Sequence, residues 1–350
     1  MRTSYSENDV TILLKDISGM VQPEDTKTRE RKIQSGTHYC EMLPVEYVPT
    51  KEYSAAYEEM IKVYSKSVAK AVCILSEKIY HSNKNPVLVS LARAGIPAGI
   101  LIKHYLEIKY KIDVPHYAIS IIRGRGIDDN AMKYILDRHN GKDIIFVDGW
   151  TGKGAIRNQL TEALSAYPTV NKDLAVIADP AGVAELYGTS DDLMIPSACL
   201  NSTVSGLISR TFLRDDNISK DHFHGAVYYG EMESEDRSYE FINDIESNFD
   251  YNMENISFET EKRSSGLNDV YAIMDKYCIS DVNLVKPGIG ETTRVLLRRV
   301  PDLVLINESD KDSDDLKPIL RLAKEKNVPI GYEKLSCYKV CGLIKNMADA

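Results

Sequence analysis

The sequence has no Cys-x-x-Cys pair, although six cysteines are present, at positions 40, 73, 199, 278, 337 and 341. Their spacing to histidine fits no zinc site. Scattered thiols of this kind predict a reduced, mostly buried set, as in a cytoplasmic protein. Basic excess is lacking too. Lys and Arg number 43 against 52 Asp and Glu, a net charge of −9. A field of that sign disfavours indiscriminate binding to nucleic acid or anionic membrane, so nucleic-acid contact would need a local basic patch. No apolar run approaches the roughly 18 residues of a membrane-spanning helix, so no membrane partner is expected. The opening MRTSYSENDVTILLKD has neither a long apolar run nor a cleavage site, and no signal peptide is expected. Tandem repeats and low-complexity tracts are absent.

What is present is alternation. A chain of 350 residues is long for one core, which predicts two domains. Met60, Ile61, Tyr64, Val68, Ala71, Val72, Leu75 and Ile79 recur at helical spacing. The period then changes. PVLVSL (86–91), HYAISII (116–122), DIIFVD (143–148) and DLAVIAD (173–179) read as strands, with helices over 96–110, 129–137 and 155–166. Short apolar strands alternating with helices predict a parallel α/β sheet covered by helices on both faces. Ligands bind such sheets at the carboxyl ends of the strands, which directs attention to the loops after Leu91, Ile122, Asp148 and Asp179. This domain is taken to cover 1–256, ending in an acidic helix from Tyr239 to Met253. It is followed by a linker over 257–266. Residues 267–350 then restart the alternation as a small three-layer α/β unit: helix 267–278, strand 282–285, helix 290–299, strand 302–306, helix 314–326, strand 329–332 and a last helix over 335–344.

The turn after Asp148, in IIFVDGWTGKG (144–154), is the most informative stretch. It is too short for a P-loop, and Gly154 stands where that loop needs a hydroxyl. A dinucleotide Gly-x-Gly-x-x-Gly is absent here as well. Free amides of Thr151, Gly152, Lys153 and Gly154, between a strand end and a helix start, still favour an anion, and Lys153 adds a charge. Asp148 beside them suits sugar hydroxyls. Phosphate at the turn and ribose at the acid describe a ribose 5-phosphate.

These residues resemble the PRPP-binding motif of type I phosphoribosyltransferases. The family's second acid is Gly149 here, so Asp148 alone, or Asp179 as helper, would hold the ribose. LARAG (91–95) sits where the family carries its pyrophosphate loop, with Arg93 to bridge phosphates and Ala94 and Gly95 to allow close approach. RGRG (123–126) suits a basic lid carrying Arg123 and Arg125. The organisation is most similar to the phosphoribosyltransferase-like family of tellurium-resistance and stress gene clusters, whose members have also been called StiP cysteine proteases. The matching stretches are HYCEMLP (38–44), SLARAGIPAG (90–99), VDGWTGKGAI (147–156), ADPAG (178–182) and LNSTVSGLISRT (200–211). The resemblance implies a type I phosphoribosyltransferase-like fold and transfer from PRPP with magnesium, in which Asp148, Arg93, Arg123 and Arg125 act on the reacting group.

The family's second label requires an alternative. Cys40 and Cys199 are the thiols a cysteine protease could use, with His38, His222 or His224 as base. Neither cysteine lies in a recognised nucleophile signature, and Ser202, Thr203 and Ser205 look suited to covering a polar ligand. In the C-terminal unit, PGIGETTRVLLRR (287–299) resembles the RNA-contact segment of the Pelota/L7Ae-like fold, a likeness covering about 265–345. Gly288, Glu291, Thr293 and Arg294 match in type, and Gly290 replaces an asparagine. This implies contact with a structured RNA, helped by a basic patch of Lys286, Arg294, Arg298 and Arg299. An RNA-binding protein with an inactive enzyme domain is a third reading, and a homo-oligomer stays open.

Overall fold

A computed structural model describes residues 1–253, 256–258, 265–298 and 301–344. Strands β1 (Thr11–Ile12), β3 (Val87–Leu91), β4 (His116–Ile119), β7 (Ile144–Trp150), β8 (Leu174–Ala178) and β9 (Leu186–Thr189) form one parallel sheet in the order β1-β4-β3-β7-β8-β9. Small two-stranded ladders pair β2 (Lys15–Asp16) with β10 (Gly225–Ala226), and β5 (Ile121–Ile122) with β6 (Gly126–Ile127). Both faces of the sheet are covered, as expected for strands buried throughout their length. The chain moves from β3 to β4 on one side and then returns to β7 on the other. Strand order therefore reverses between β3 and β7, which opens a crevice at their carboxyl ends.

Of the early helices, α1 (Thr26–Gln34) is short and α2 (Lys51–Ser82) runs 32 residues. Thr50 caps α2 by accepting the Tyr53 N–H. Its stripe of Met60, Tyr64, Val68, Val72, Leu75 and Ile79 is fully buried. Helices α3 (Gly95–Tyr110), α4 (Asp129–Leu136), α5 (Ala155–Ala163) and α6 (Ser238–Glu246) complete the first domain. The entry to α3 needs glycine. A Cβ at Gly95 would stand 2.3 Å from the Val147 carbonyl oxygen, so β7 and α3 touch backbone to backbone there. The segment 200–211 forms no strand; it holds a short 3₁₀ turn at Ser202–Val204, preceded by another at Pro196–Cys199.

The second domain contains α7 (Gly266–Lys276), β11 (Val285–Pro287), α8 (Ile289–Arg298), β12 (Leu303–Asn307), α9 (Lys317–Glu325), β13 (Ile330–Glu333) and β14 (Val340–Leu343), with sheet order β11-β14-β12-β13. The expected last helix over 335–344 is corrected. Residues 340–343 form a fully buried strand, antiparallel to both β11 and β12. A short apolar run fits strand or helix by pattern alone, and pairing on both edges decides it. Most of the linker expected at 257–266 falls on 259–264, outside the described residues, as do 299, 300 and 345–350. Among the described residues no helix is long and apolar enough to cross a membrane.

The two domains share a core. Ile289, Leu296 and Leu297 of α8 belong to the same buried cluster as α2. Asp192, only 4% exposed, accepts the N–H groups of Ile289 and Lys339, each at 2.9 Å. Tyr338 donates its hydroxyl to the Gly152 carbonyl at 2.6 Å. Tyr53 and Tyr64 of α2 donate theirs to the Leu297 and Asp315 carbonyls.

Candidate functional site

Two groups of residues meet around the crevice. The first is built on a 3₁₀ turn, Tyr39–Glu41. His38 caps that turn: its Nδ1 accepts the Cys40 N–H at 3.4 Å and lies 3.0 Å from Cys40 Sγ. With Nδ1 accepting, the ring proton belongs on Nε2, and the single Nδ1 lone pair is shared between the Cys40 N–H and the nearer thiol, whose Sγ also lies 3.5 Å from the Leu213 carbonyl oxygen. Burial pushes the Cys40 thiol pKa up, while Arg125 and Arg210 pull it down. The β5–β6 turn covers the pair. Arg123 donates its N–H to the Tyr39 hydroxyl at 3.0 Å, and Arg125 ion-pairs with Glu41 at 2.7 Å. Gly124 stands opposite the ring, where an added Cβ would lie 3.6 Å from His38 Nε2. The Arg123/Arg125 loop thus caps a cysteine and a histidine.

The other sequence candidates for this chemistry do not come together. Cys199 is buried in the core, which pushes its pKa up to about 12, and histidine is absent from its hydrogen-bond partners among the described residues. His224 Nδ1 is 2.8 Å from Ser120 Oγ, and burial lowers the ring's pKa against the pull of Asp128 and Asp129. His222 lies beside Ser219 and Lys15. Ser202 is engaged by Glu46, whose Oε1 accepts both its N–H and its hydroxyl. Ser205 donates to the Asn201 carbonyl, and the buried Thr203 hydroxyl makes no hydrogen bond.

The second group lies at the reversal point. A cavity of about 390 Å³ there is lined by both domains, with Arg123, Asp148, Trp150 and 151–157 on one side and Lys286, Glu291 and Arg294 on the other. Burial raises the Asp148 pKa to about 7, opposed only by the Gly149 N–H, which donates to Oδ1 at 2.7 Å. Several residues expected to hold phosphate have other partners. Thr151 donates its hydroxyl to Asp179, and Lys153 Nζ donates to the Val282 and Val285 carbonyls, each at 2.8 Å. Burial then lowers the Lys153 pKa to about 8. Gly152 offers its carbonyl to Tyr338, and Gly154 adopts the left-handed conformation that turns the chain into α5. Ala94 precedes α3, and Gly95 serves close packing there. Arg93 donates to the Ile208 carbonyl at 2.9 Å and to Asn201 Oδ1 at 3.2 Å.

The C-terminal motif faces the same cavity. Gly290 lies against the Trp150 indole and Glu291 reaches Gly152, at 3.7 and 3.9 Å from the respective added Cβ positions. Gly288 has φ +88°, Thr293 is fully buried with an unpartnered hydroxyl, and Arg294 lines the wall. Sequence reasoning missed Asp192, Tyr338 and Asn201. All three act across long sequence separations and no local pattern marks them.

The model described as "Tellurite-like stress resistance cysteine protease StiP" matches residues 3–246. The chain belongs to the StiP family. The model of the PELOTA RNA binding domain matches 264–346 of this StiP-family chain. Among curated proteins, "Cysteine protease StiP" of Acinetobacter baylyi (strain ATCC 33305 / BD413 / ADP1) is 35% identical over 363 residues, covering 98% of this chain and 94% of the relative. The expectation of a phosphoribosyltransferase using PRPP is corrected by these matches: family and relative both carry the name of a cysteine protease. The local chemistry agrees with the correction, since Lys153, Thr151 and Arg93 are held by protein partners. The magnesium ion was expected only as the companion of PRPP. Among the described residues no three His, Cys, Asp or Glu side chains gather as metal donors.

Proposed function

We propose that this StiP-family chain is a cysteine peptidase in which Cys40 is the nucleophile and His38 its base. The observation that carries the reading is the 3.0 Å separation of Cys40 Sγ and His38 Nδ1. In this mechanism His38 takes the thiol proton, and the thiolate attacks the scissile carbonyl carbon. The imidazolium then protonates the leaving amine as the tetrahedral centre collapses to a thioester. Water, deprotonated by the same ring, hydrolyses the thioester and restores the thiol. Arg125 and Arg210 favour the thiolate. Because the thiol is buried under the β5–β6 turn, that turn lifts for substrate to enter.

The test is hydrolysis of a mixed fluorogenic peptide pool by the full chain. Cys40→Ala and His38→Ala each lower the rate at least about 100-fold, while Cys199→Ala retains it. Activity surviving Cys40→Ala, or lost with Cys199→Ala in a folded protein, overturns the assignment.

We infer that the C-terminal domain binds structured RNA, on the strength of the PELOTA match and of Lys286 and Arg294 facing one cavity. Filter retention of a kinked RNA hairpin by the full chain tests this. Retention weakened by Lys286→Ala supports the inference, and no retention at low salt overturns it.

A further inference from the structure

The arginines around Cys40 are arranged for something other than each other. Arg93 and Arg298, from the two domains, both donate to the single neutral oxygen Asn201 Oδ1. Arg210 places its guanidinium 4.8 Å from the centre of the Tyr39 ring, between His38 and Cys40 in sequence, and Arg123 approaches the same ring at 5.9 Å. Among the described residues none of Arg93, Arg123, Arg210, Arg294 or Arg298 forms an ion pair, whereas Arg2, Arg125, Arg157, Arg214, Arg237 and Arg321 all do. Glu291 and then Glu46 are the acids within electrostatic reach of Arg294, and Glu46, which already accepts two bonds from Ser202, is the acid that reaches Arg298.

Like charges crowd one another here. Burial and the neighbouring Arg29 and Arg93 lower the Arg210 pKa to about 10, and burial with Arg294 and Arg93 does the same to Arg298. A guanidinium keeps its charge even so. Unpaired, partly desolvated cations raise the energy of the folded chain, and an incoming anion relieves them. Planar forks of this kind match carboxylates two bonds at a time.

We propose that Arg93 and Arg210 form an anion subsite beside Cys40 that receives acidic side chains of a peptide substrate. The proposal rests on the Cys40 peptidase reading and names its substrate class. The peptide is favoured over a nucleic acid because Arg93 and Arg210 belong to the StiP-family domain and lie on the Cys40 side, whereas the RNA-type motif is on α8.

The experiment uses full-length Cys40→Ala protein, fluorescein-labelled tetraglutamate and tetraserine peptides, and anisotropy at low salt. Tetraglutamate binds at least about tenfold tighter than tetraserine, the effect of one charge-assisted hydrogen bond. Arg210→Gln and Arg93→Gln each weaken it about tenfold, and Arg210→Lys restores part of the affinity. Thermal melting supplies a second readout. Arg210→Gln raises Tm because crowding is relieved, and tetraglutamate raises the Tm of the arginine protein but not of the glutamine variant. Equal affinity for both peptides overturns the proposal, as does indifference to both arginine variants. So does a labelled octauridylate that binds through Arg93 and Arg210 when tetraglutamate does not. Charge-selective binding without any peptide cleavage by the native protein removes only the Cys40 assignment. Cleavage at Cys40 that is blind to acidic residues removes only the subsite.

Discussion

Replacing Asp148 by asparagine should stabilise the protein more at alkaline pH than at acid pH. The carboxyl lies at the tip of β7, largely cut off from water, with one N–H donor from Gly149 and no cation paired to it among the described residues. Its folded pKa is therefore raised from about 3.8 to about 7. The folded state holds the proton more tightly than the unfolded state. The contribution to stability is fully present below the unfolded value and declines as pH rises from there through the folded one. Between pH 5 and the folded value the interval is about two pH units, and at 1.36 kcal/mol per unit the ceiling is about 2.7 kcal/mol. The side chain retains some solvent access, so about 1–2 kcal/mol is the working figure. The substituted amide keeps an oxygen for the Gly149 N–H but carries no charge, so the variant's stability lacks this decline. The assay is urea unfolding followed by fluorescence of Trp150, the sole tryptophan, two residues away. The stability difference between Asp148→Asn and native protein should grow by about 1–2 kcal/mol from pH 5 to pH 8.5. A difference that stays flat across that range refutes the reasoning.

Three further outcomes follow from single residues. Asp192→Ala leaves the Ile289 and Lys339 N–H groups buried without acceptors and should cost about 2–4 kcal/mol; limited proteolysis should then release the C-terminal domain faster. Gly95→Ala drives a methyl into the Val147 carbonyl, and a loss of about 3 kcal/mol or an insoluble product is expected in thermal melts. His104 sits between Asp9 and Glu246, and those partners raise its pKa to about 9 against the opposing effect of burial. Its contribution is present below pH 6.5 and lost as pH rises through about 9. His104→Gln should therefore destabilise by about 1–2 kcal/mol at pH 6 and by little at pH 10, as read by urea unfolding at the two pH values.

The sheet was legible because buried parallel strands write themselves as short apolar runs. DIIFVD and DLAVIAD lie on β7 and β8, and of the loops marked for function those after Leu91 and Asp148 flank the reversal point. The stripe from Met60 to Ile79 likewise announced α2. The last strand was misread because Val340–Leu343 is too short for period to distinguish, and its partners β11 and β12 lie far back in the chain. The Cys40–His38 pair was visible only as one of several combinations. No periodicity marks it, and a 3₁₀ turn is required to bring Nδ1 over Sγ. Lys153 was read as a phosphate ligand from its local glycines, but its partners are carbonyls about 130 residues away, which no local pattern encodes.

At 32 residues, α2 is a rod of about 48 Å. Its first half carries Tyr53, Tyr64 and Glu59, which grip the C-terminal domain, while its second half lies beneath the parallel sheet. A lineage that shed the C-terminal unit would have to repolish half of that rod, and one that swapped in a foreign unit would have to match its knobs. The pairing of the two modules in one polypeptide is therefore a fit between surfaces that meet on one helix.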